Sequence, residues 1–181
     1  MNYKEVLNLV KHQQQLISRS VTVDIYLVDK KVIVIAKMHD DYHDMRLATI
    51  FKKGIFKIVD IAVEMERTPY PICFDSTEIY KDLIGISAFE KGVLKKIRTI
   101  IKRKMGCTHI TEMLESTLRA LFASLESIDG SIFKKGVNKE EHRQLVMHLP
   151  GMKNTCLAFN EDYYDENLLK SAREKLSKVK K

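Results

Sequence analysis

Residues 45–65 read MRLATIFKKGIFKIVDIAVEM, two runs of alternating side chains on either side of Lys52-Lys53-Gly54. Apolar residues at every second position are typical of a half-buried β-strand, and a polar turn ending in glycine is typical of a hairpin because glycine adopts positive φ at little cost. The alternating positions are Met45, Leu47, Thr49 and Phe51 in the first run and Ile55, Lys57, Val59, Ile61, Val63 and Met65 in the second. This stretch therefore predicts the third and fourth strands of an antiparallel sheet.

Two further strands are predicted upstream of this hairpin. Residues 21–27 alternate between apolar and polar side chains, and residues 32–36 are continuously apolar and rich in β-branched residues. The polar residues 29–31 separate them, and a polar loop at 39–44 leads into the third strand. Four strands joined by short connections predict an antiparallel β-meander.

Helical periodicity dominates the rest of the chain. Apolar stripes at helical spacing cover residues 91–104 and 108–125, and Gly106 separates the two helices that they predict. Weaker patterns predict helices over 3–17, 139–149 and 164–179. The chain is therefore predicted to be α+β, with helices packed on one face of the sheet. We divide it into an α+β domain at 1–130, which includes the N-terminal helix, and a helical C-terminal extension at 131–181.

Composition narrows the class of protein. Hydrophobic residues make up 45% of the 181 residues, which suits a packed core, and no apolar run approaches the roughly 20 residues of a membrane span. The N-terminus lacks the layout of a signal peptide, so a cytoplasmic protein is expected. The three cysteines are an odd number and lie far apart, which favours free or metal-bound thiolates over a disulfide framework.

The basic charge indicates a second type of partner. The net charge is +7, and much of it lies at 91–104 and in the C-terminal tail. Such runs favour weak association with anions, including nucleic acid, although they are more often the solvated side of a helix. Few aromatic residues are interleaved with them, so the stacking platform of a single-strand binder is not predicted.

The junction Gly106-Cys107-Thr108-His109 places a thiol and an imidazole two residues apart at a helix start. Unpaired backbone N–H groups and the positive end of the helix dipole favour a thiolate there. The pair offers two soft metal ligands, or a nucleophile beside its proton acceptor. The alternative is a buried small hydrophobe beside a hydrogen-bonded histidine.

The loop between the second and third strands is the other candidate. Two histidines and three aspartates lie within six residues, His39 to Asp44, although an ordinary polar hairpin loop has a similar composition. The start of the third strand lies near the end of the fourth in an antiparallel hairpin. His43 and Cys73, which follows the fourth strand, are therefore predicted to lie at the same end of the sheet.

Four short motifs in a fixed order carry a resemblance. They are His43-Asp44-Met45, Pro69-Tyr70-Pro71-Ile72-Cys73, Leu83-Ile84-Gly85-Ile86 and Gly106-Cys107-Thr108-His109. Together they resemble a bacterial domain family of unknown function over about residues 20–127. No activity follows from that resemblance.

A more distant similarity is to the U-type (NifU-like) iron–sulfur cluster scaffolds. In that group a ligand-bearing strand start, a Gly-Cys turn and a His-Cys helix start follow one another. The resemblance implies a metal-ligand set of His43, Cys73, Cys107 and His109, with Asp44 as a fifth ligand or a hydrogen-bonding neighbour. The chain departs from the pattern because His43 replaces a cysteine and because its last histidine follows the last cysteine.

Three functions are consistent with these residues. The first is a metal-binding domain that holds zinc or an iron–sulfur cluster, since two thiolates and two imidazoles suit either. The second is a thiol-dependent enzyme or sulfur-transfer protein with Cys107 as nucleophile and His109 or His43 as base. The third is a basic module that docks an acidic protein partner or nucleic acid through residues 91–104.

Overall fold

A four-stranded antiparallel sheet organises the fold. The computed structural model of the chain describes residues 1–129, 136–149 and 152–178. Its strands are β1 (Ser20–Val28), β2 (Lys31–His39), β3 (Asp44–Lys52) and β4 (Ile58–Arg67), in the spatial order β1-β2-β3-β4. Each strand pairs antiparallel with the next along the chain. The predicted meander is confirmed.

Helices make up most of the remainder. The α-helices are α1 (Tyr3–Val10), α2 (Val93–Met105), α3 (Thr108–Asp129), α4 (Lys139–Met147) and α5 (Glu166–Lys178). Short 3-10 helices cover Pro71–Ser76, Glu78–Leu83, Leu157–Phe159 and Glu161–Tyr163. The α+β class is confirmed, and so are helices in the C-terminal part. The predicted boundary between residues 130 and 131 lies outside the described residues.

The core lies between α3 and one face of the sheet. Most of the predicted apolar stripe of α3 is buried there, whereas Phe122 and Leu125 near its end are half-buried, and alternate residues of β2 and β3 are buried on the same face. The buried hydrophobic residues of α3 are Ile110, Met113, Leu114, Leu118, Leu121 and Ile128. Burying each such side chain stabilises the fold by roughly 1.5–3 kcal/mol. This packing fixes the N-terminus of α3 against the sheet.

A β-bulge in β4 places the residues at the start of the strand on the opposite face from the one predicted. Ile50 pairs with Asp60 and Phe51 with Ile58, which leaves Val59 without a partner. An extra residue in one strand moves the side chains before it to the opposite face. Ile58 is therefore buried, whereas Val59 is 40% exposed and Ile55 is 51% exposed. The prediction that Ile55 and Val59 share the face of Ile61 was wrong.

The N-terminal helix is shorter than predicted. A capping box between Asn2 and Glu5 starts α1, and the helix ends at Val10 instead of continuing to residue 17. The polar run that follows Val10 offers no apolar stripe to bury, and short helices depend on such burial. Every residue of α1 is exposed.

The C-terminal helices are joined to each other by a charged cluster. The Glu141 carboxylate of α4 accepts hydrogen bonds from Ser171 at 2.6 Å and Lys175 at 2.7 Å, both on α5. These bonds, Lys175 first, lower the pKa of Glu141 to about 2. None of the described helices combines the length and the apolar character that crossing a bilayer requires.

Candidate functional site

The candidate site lies where the turn between β2 and β3 meets the start of α3. Asp40 is buried in that turn, and its Oδ1 accepts the backbone N–H groups of Tyr42 at 2.8 Å and His43 at 2.7 Å. An aspartate that caps the following N–H groups in this way folds its own turn. The turn places the His43 ring, which is also buried, over the end of the sheet.

The same carboxylate orients the imidazole of His43. Asp40 Oδ1 lies 2.9 Å from His43 Nδ1, and its Oδ2 accepts a hydrogen bond from Arg19 at 2.6 Å. Burial alone would raise the pKa of Asp40, but the N–H of Tyr42, Arg19 and His43 together hold it well below its usual value. Because an ionised carboxylate can only accept, Nδ1 of His43 carries a proton and Nε2 faces away from Asp40.

A second imidazole lies against the first. The ring centroids of His43 and His109 are 4.1 Å apart, with their planes tilted by 52°. Burial lowers the pKa of His109, and its electrostatic interactions with His43 and Arg19 lower it further. Because its ordinary pKa is about 6.5, His109 is neutral at pH 7 and has a ring nitrogen available to accept a proton.

Cys107 is the residue that precedes α3. Its carbonyl accepts the N–H of Thr111 at 3.1 Å, which closes the first turn of the helix. Its Sγ lies 3.9 Å from Nδ1 of His109, at the outer limit of a thiol hydrogen bond. The partial positive charge at a helix N-terminus stabilises an anion at this position. A half-buried thiol is therefore placed beside a neutral imidazole.

Tyr80 fixes the backbone at Cys107. Its hydroxyl donates to the carbonyl of Cys107 at 2.7 Å and accepts the N–H of the same residue at 3.1 Å. Burial raises the pKa of Tyr80 to about 12, so the phenol keeps its proton across the physiological range. A Cβ on Gly106 would clash with Cγ2 of the buried Ile101, so a larger residue before Cys107 requires the Ile101 side chain or the junction itself to shift.

A surface cavity opens beside the thiol. It encloses about 630 Å³, and its wall is formed by residues from α2, the junction and α3. The lining residues are Arg98, Ile101, Gly106, Cys107, Thr108, Thr111, Glu112 and Glu115. Arg98 and Glu115 form an ion pair at 2.6 Å. A small polar molecule can therefore reach Cys107 from solvent.

Three of the five predicted metal ligands belong to one series of contacts. His43, His109 and Cys107 follow one another from the sheet to α3, as described above. Asp44 instead faces His39 at 3.2 Å and Arg46 at 3.7 Å. The side chain of Cys73 packs against the hydrophobic core, and its carbonyl accepts the hydroxyl of Ser76. Across the described ranges, no three His, Cys, Asp or Glu side chains are grouped to hold a metal ion.

Arg19 and Tyr80 were not predicted as site residues, and Asp40 was part of the candidate loop but not of the predicted ligand set. The spacing of Asp40 three residues before His43 is a signal of a capped turn, and it was available in the sequence. The contacts of Arg19 with Asp40 and of Tyr80 with Cys107 span 21 and 27 residues, and no local pattern indicates them.

The basic run on α2 is partly neutralised. Lys96 pairs with Glu90 at 2.7 Å, and Arg98 pairs with Glu115. These pairs reduce the positive charge that the predicted docking helix would present. The docking hypothesis for residues 91–104 stays a prediction.

Comparison with known proteins gives one match. A family model described as "Protein of unknown function (DUF2889)" matches residues 9–122, which covers the sheet, α2 and most of α3. Neither the curated proteins nor the solved structures that were compared contain a match. The match confirms the predicted resemblance to a family of unknown function. It leaves the similarity to iron–sulfur scaffolds a prediction.

Proposed function

The chain belongs to the DUF2889 family of proteins of unknown function, and we propose that its chemistry is carried by a reactive thiol, with Cys107 as nucleophile.

 The observation that supports this most directly is the unbroken series of contacts Asp40–His43–His109–Cys107. A thiol beside a base is the arrangement that activates a nucleophile, and here the carboxylate orients His43, whose ring packs against the base His109.

His109 serves as the proton acceptor in this proposal. Its lowered pKa keeps the ring neutral at pH 7, so it can take the proton from Sγ of Cys107 as the thiol reacts. The imidazolium that forms lies against the ring of His43, which is held by the ionised Asp40. The carboxylate offsets the positive charge that the transfer creates on the pair of rings.

The chemical step is a nucleophilic displacement. The thiolate attacks an electrophilic carbon, the new S–C bond forms, and the leaving group takes the proton from His109 as its own bond to carbon breaks. The cavity of about 630 Å³ beside Cys107 gives the substrate access. The N–H groups at the start of α3 supply the positive field that stabilises charge on the attacking sulfur.

A metal site is the second candidate, and two specific observations favour it. Metal-binding histidines commonly donate their second ring N–H to a carboxylate, as His43 does to Asp40. The 3.9 Å between Cys107 Sγ and His109 Nδ1 is also near the separation of about 3.6 Å expected for two ligands on one tetrahedral zinc. Zinc held by His43, His109 and Cys107 would require these side chains to move, because the described residues do not group three such ligands around one point. An iron–sulfur cluster is supported by the scaffold resemblance alone.

Competition between zinc and an alkylating reagent separates the two functions. We expect iodoacetamide to modify Cys107 rapidly in protein that has been treated with a chelator, and an equimolar amount of zinc to change that rate by less than twofold. Mass spectrometry of the Cys107 peptide gives the rate, and Cys107→Ser shows which adduct belongs to this residue. Full protection by stoichiometric zinc would replace the thiol proposal with the metal site.

We also propose that the protein works in the cytoplasm. All three cysteines are free thiols in the structure, and a thiol nucleophile works in a reducing compartment such as the cytoplasm. A protein partner would be needed only if the substrate electrophile is carried on another chain.

A further inference from the structure

Two lysines face each other across the sheet at the end remote from the thiol site. Lys31 of β2 pairs directly with Lys52 of β3 in the antiparallel register. Their neighbours Val32 and Phe51 point into the core, so both lysines lie on the face opposite α3. Like charges directly opposite one another in a sheet are destabilising. This position therefore lowers the stability of the free protein.

A second cationic pair on the same two strands shows how such repulsion is usually relieved. Lys37 lies opposite Arg46, but Lys37 bonds Asp24 at 3.0 Å and Arg46 bonds Glu64 at 2.8 Å. Among the described residues, no hydrogen bond or ion pair joins the Lys31 or Lys52 side chain to a carboxylate. The Lys31–Lys52 pair differs from it because neither lysine is bonded to a carboxylate of the described residues, and the acidic residue of the surrounding wall is Asp60.

The same pair lines a cavity of about 370 Å³. Lys30, from the turn between β1 and β2, adds a third ammonium group, and Lys53 N–H donates to the carbonyl of Lys30 at 2.9 Å, which joins this turn to the β3–β4 hairpin. Ile50 and Val59 form an apolar part of the wall, and the bulge described above places Val59 there. Asp60 is the acidic residue of the wall, and its Oδ1 already accepts the N–H of Ile61.

We propose that this cavity, which we call the lysine cavity, binds the phosphate group of a small phosphorylated molecule. The wall carries three lysines and one carboxylate, so a dianion placed between Lys30, Lys31 and Lys52 supplies the counter-charge that Asp60 alone does not, and lysine is a common phosphate ligand. Ile50 and Val59 contact the apolar body of the molecule. The site is independent of the thiol function, because it is built from the opposite end of the sheet.

Thermal unfolding in sodium phosphate tests this assignment. Ligand that binds only the folded chain raises Tm, and at ten times the dissociation constant the expected rise is about 3–5 °C. Sodium chloride at the same ionic strength gives the non-specific screening effect and should fall short of that rise. Phenyl phosphate should reach the same Tm at a lower concentration than inorganic phosphate, because its ring contacts the apolar wall.

Two variants make the test specific. Lys52→Glu places an opposite charge across from Lys31, so it should raise Tm without ligand by about 1–2 °C and abolish the response to phosphate. Lys37→Gln, at the compensated pair, should keep the phosphate response. The proposal is overturned if chloride matches phosphate, or if Lys52→Glu still responds. Tighter binding of a single-stranded oligonucleotide than of phenyl phosphate would reassign the surface to nucleic acid.

Discussion

Replacing Asp40 with alanine is expected to lower the free energy of unfolding by about 3–5 kcal/mol. The substitution removes the acceptor for Arg19, for the His43 ring and for two backbone N–H groups in a buried turn. Those donors stay partly buried after the carboxylate is gone, and an unpaired buried donor costs more than the bond itself was worth. Chemical denaturation monitored by circular dichroism gives the change.

Two further variants separate the loss of the buried carboxylate from the general effect of changing an aspartate in this turn. Asp41→Ala removes a carboxylate that is exposed, so it should change the free energy of unfolding by no more than about 0.5 kcal/mol. Asp40→Asn keeps an oxygen for the backbone N–H groups but loses the charge that pairs with Arg19, so its effect should fall between the two. Equal stability of Asp40→Ala and Asp41→Ala would show that Asp40 does not hold this turn.

Replacing His109 with phenylalanine is expected to slow alkylation of Cys107 at pH 7 by about 100-fold. Phenylalanine fills the same space against His43 but has no nitrogen to accept the thiol proton. The rate is measured by mass spectrometry of the Cys107 peptide after timed exposure to iodoacetamide. His148→Phe, which alters a ring in the C-terminal helices that lies against Tyr164, is the matched control and should leave the rate unchanged.

The pH dependence of the wild-type rate provides a second readout for His109. Because the pKa of His109 is lowered, the ring stays neutral below pH 6.5 and the alkylation rate persists until the pH falls through that lowered pKa. In His109→Phe, the fall of the alkylation rate that is due to protonation of this ring should disappear. An unchanged rate and pH profile in His109→Phe would remove this residue from the mechanism.

The lowered pKa of His109 also makes the free energy of unfolding depend on pH, and the folded chain loses stability on the acid side. The unfolded chain binds a proton at His109 near pH 6.5, whereas the folded chain binds it only at lower pH. The contribution of the neutral ring to stability is therefore full above pH 6.5 and is lost as the pH falls toward the folded pKa.

Much of the fold could be predicted because it follows local periodicity. Alternation predicted β1, β3 and β4, a continuous β-branched run predicted β2, and the stripe from Ile110 to Leu121 predicted α3 and its buried face. The bulge at Val59 could not be predicted, because the apolar residues Ile55, Val59 and Ile61 fit an unbroken alternation equally well. The pairing of β4 with β3 determines which of these side chains face the core, and no local sequence pattern encodes that pairing.

The candidate site was predictable to a lesser extent. The junction at Cys107 and the loop at His43 stood out by composition, but their contact depends on α3 packing across the sheet. Sequence order suggested Cys73 as a neighbour because it follows β4. In the structure the chain continues there into the 3-10 helix Pro71–Ser76, where the Cys73 side chain packs against the core.

The order in which the three cysteines react with iodoacetamide tests the central claim most directly. Cys156 is exposed, whereas Cys107 and Cys73 are half-buried, so access alone predicts that Cys156 reacts first. The thiol proposal predicts the reverse: in chelator-treated wild-type protein at pH 7, Cys107 is modified before Cys156, and Cys73 reacts last. If modification instead follows exposure, with Cys156 first and Cys107 no faster than Cys73, then Cys107 is an ordinary cysteine and the proposed function is wrong.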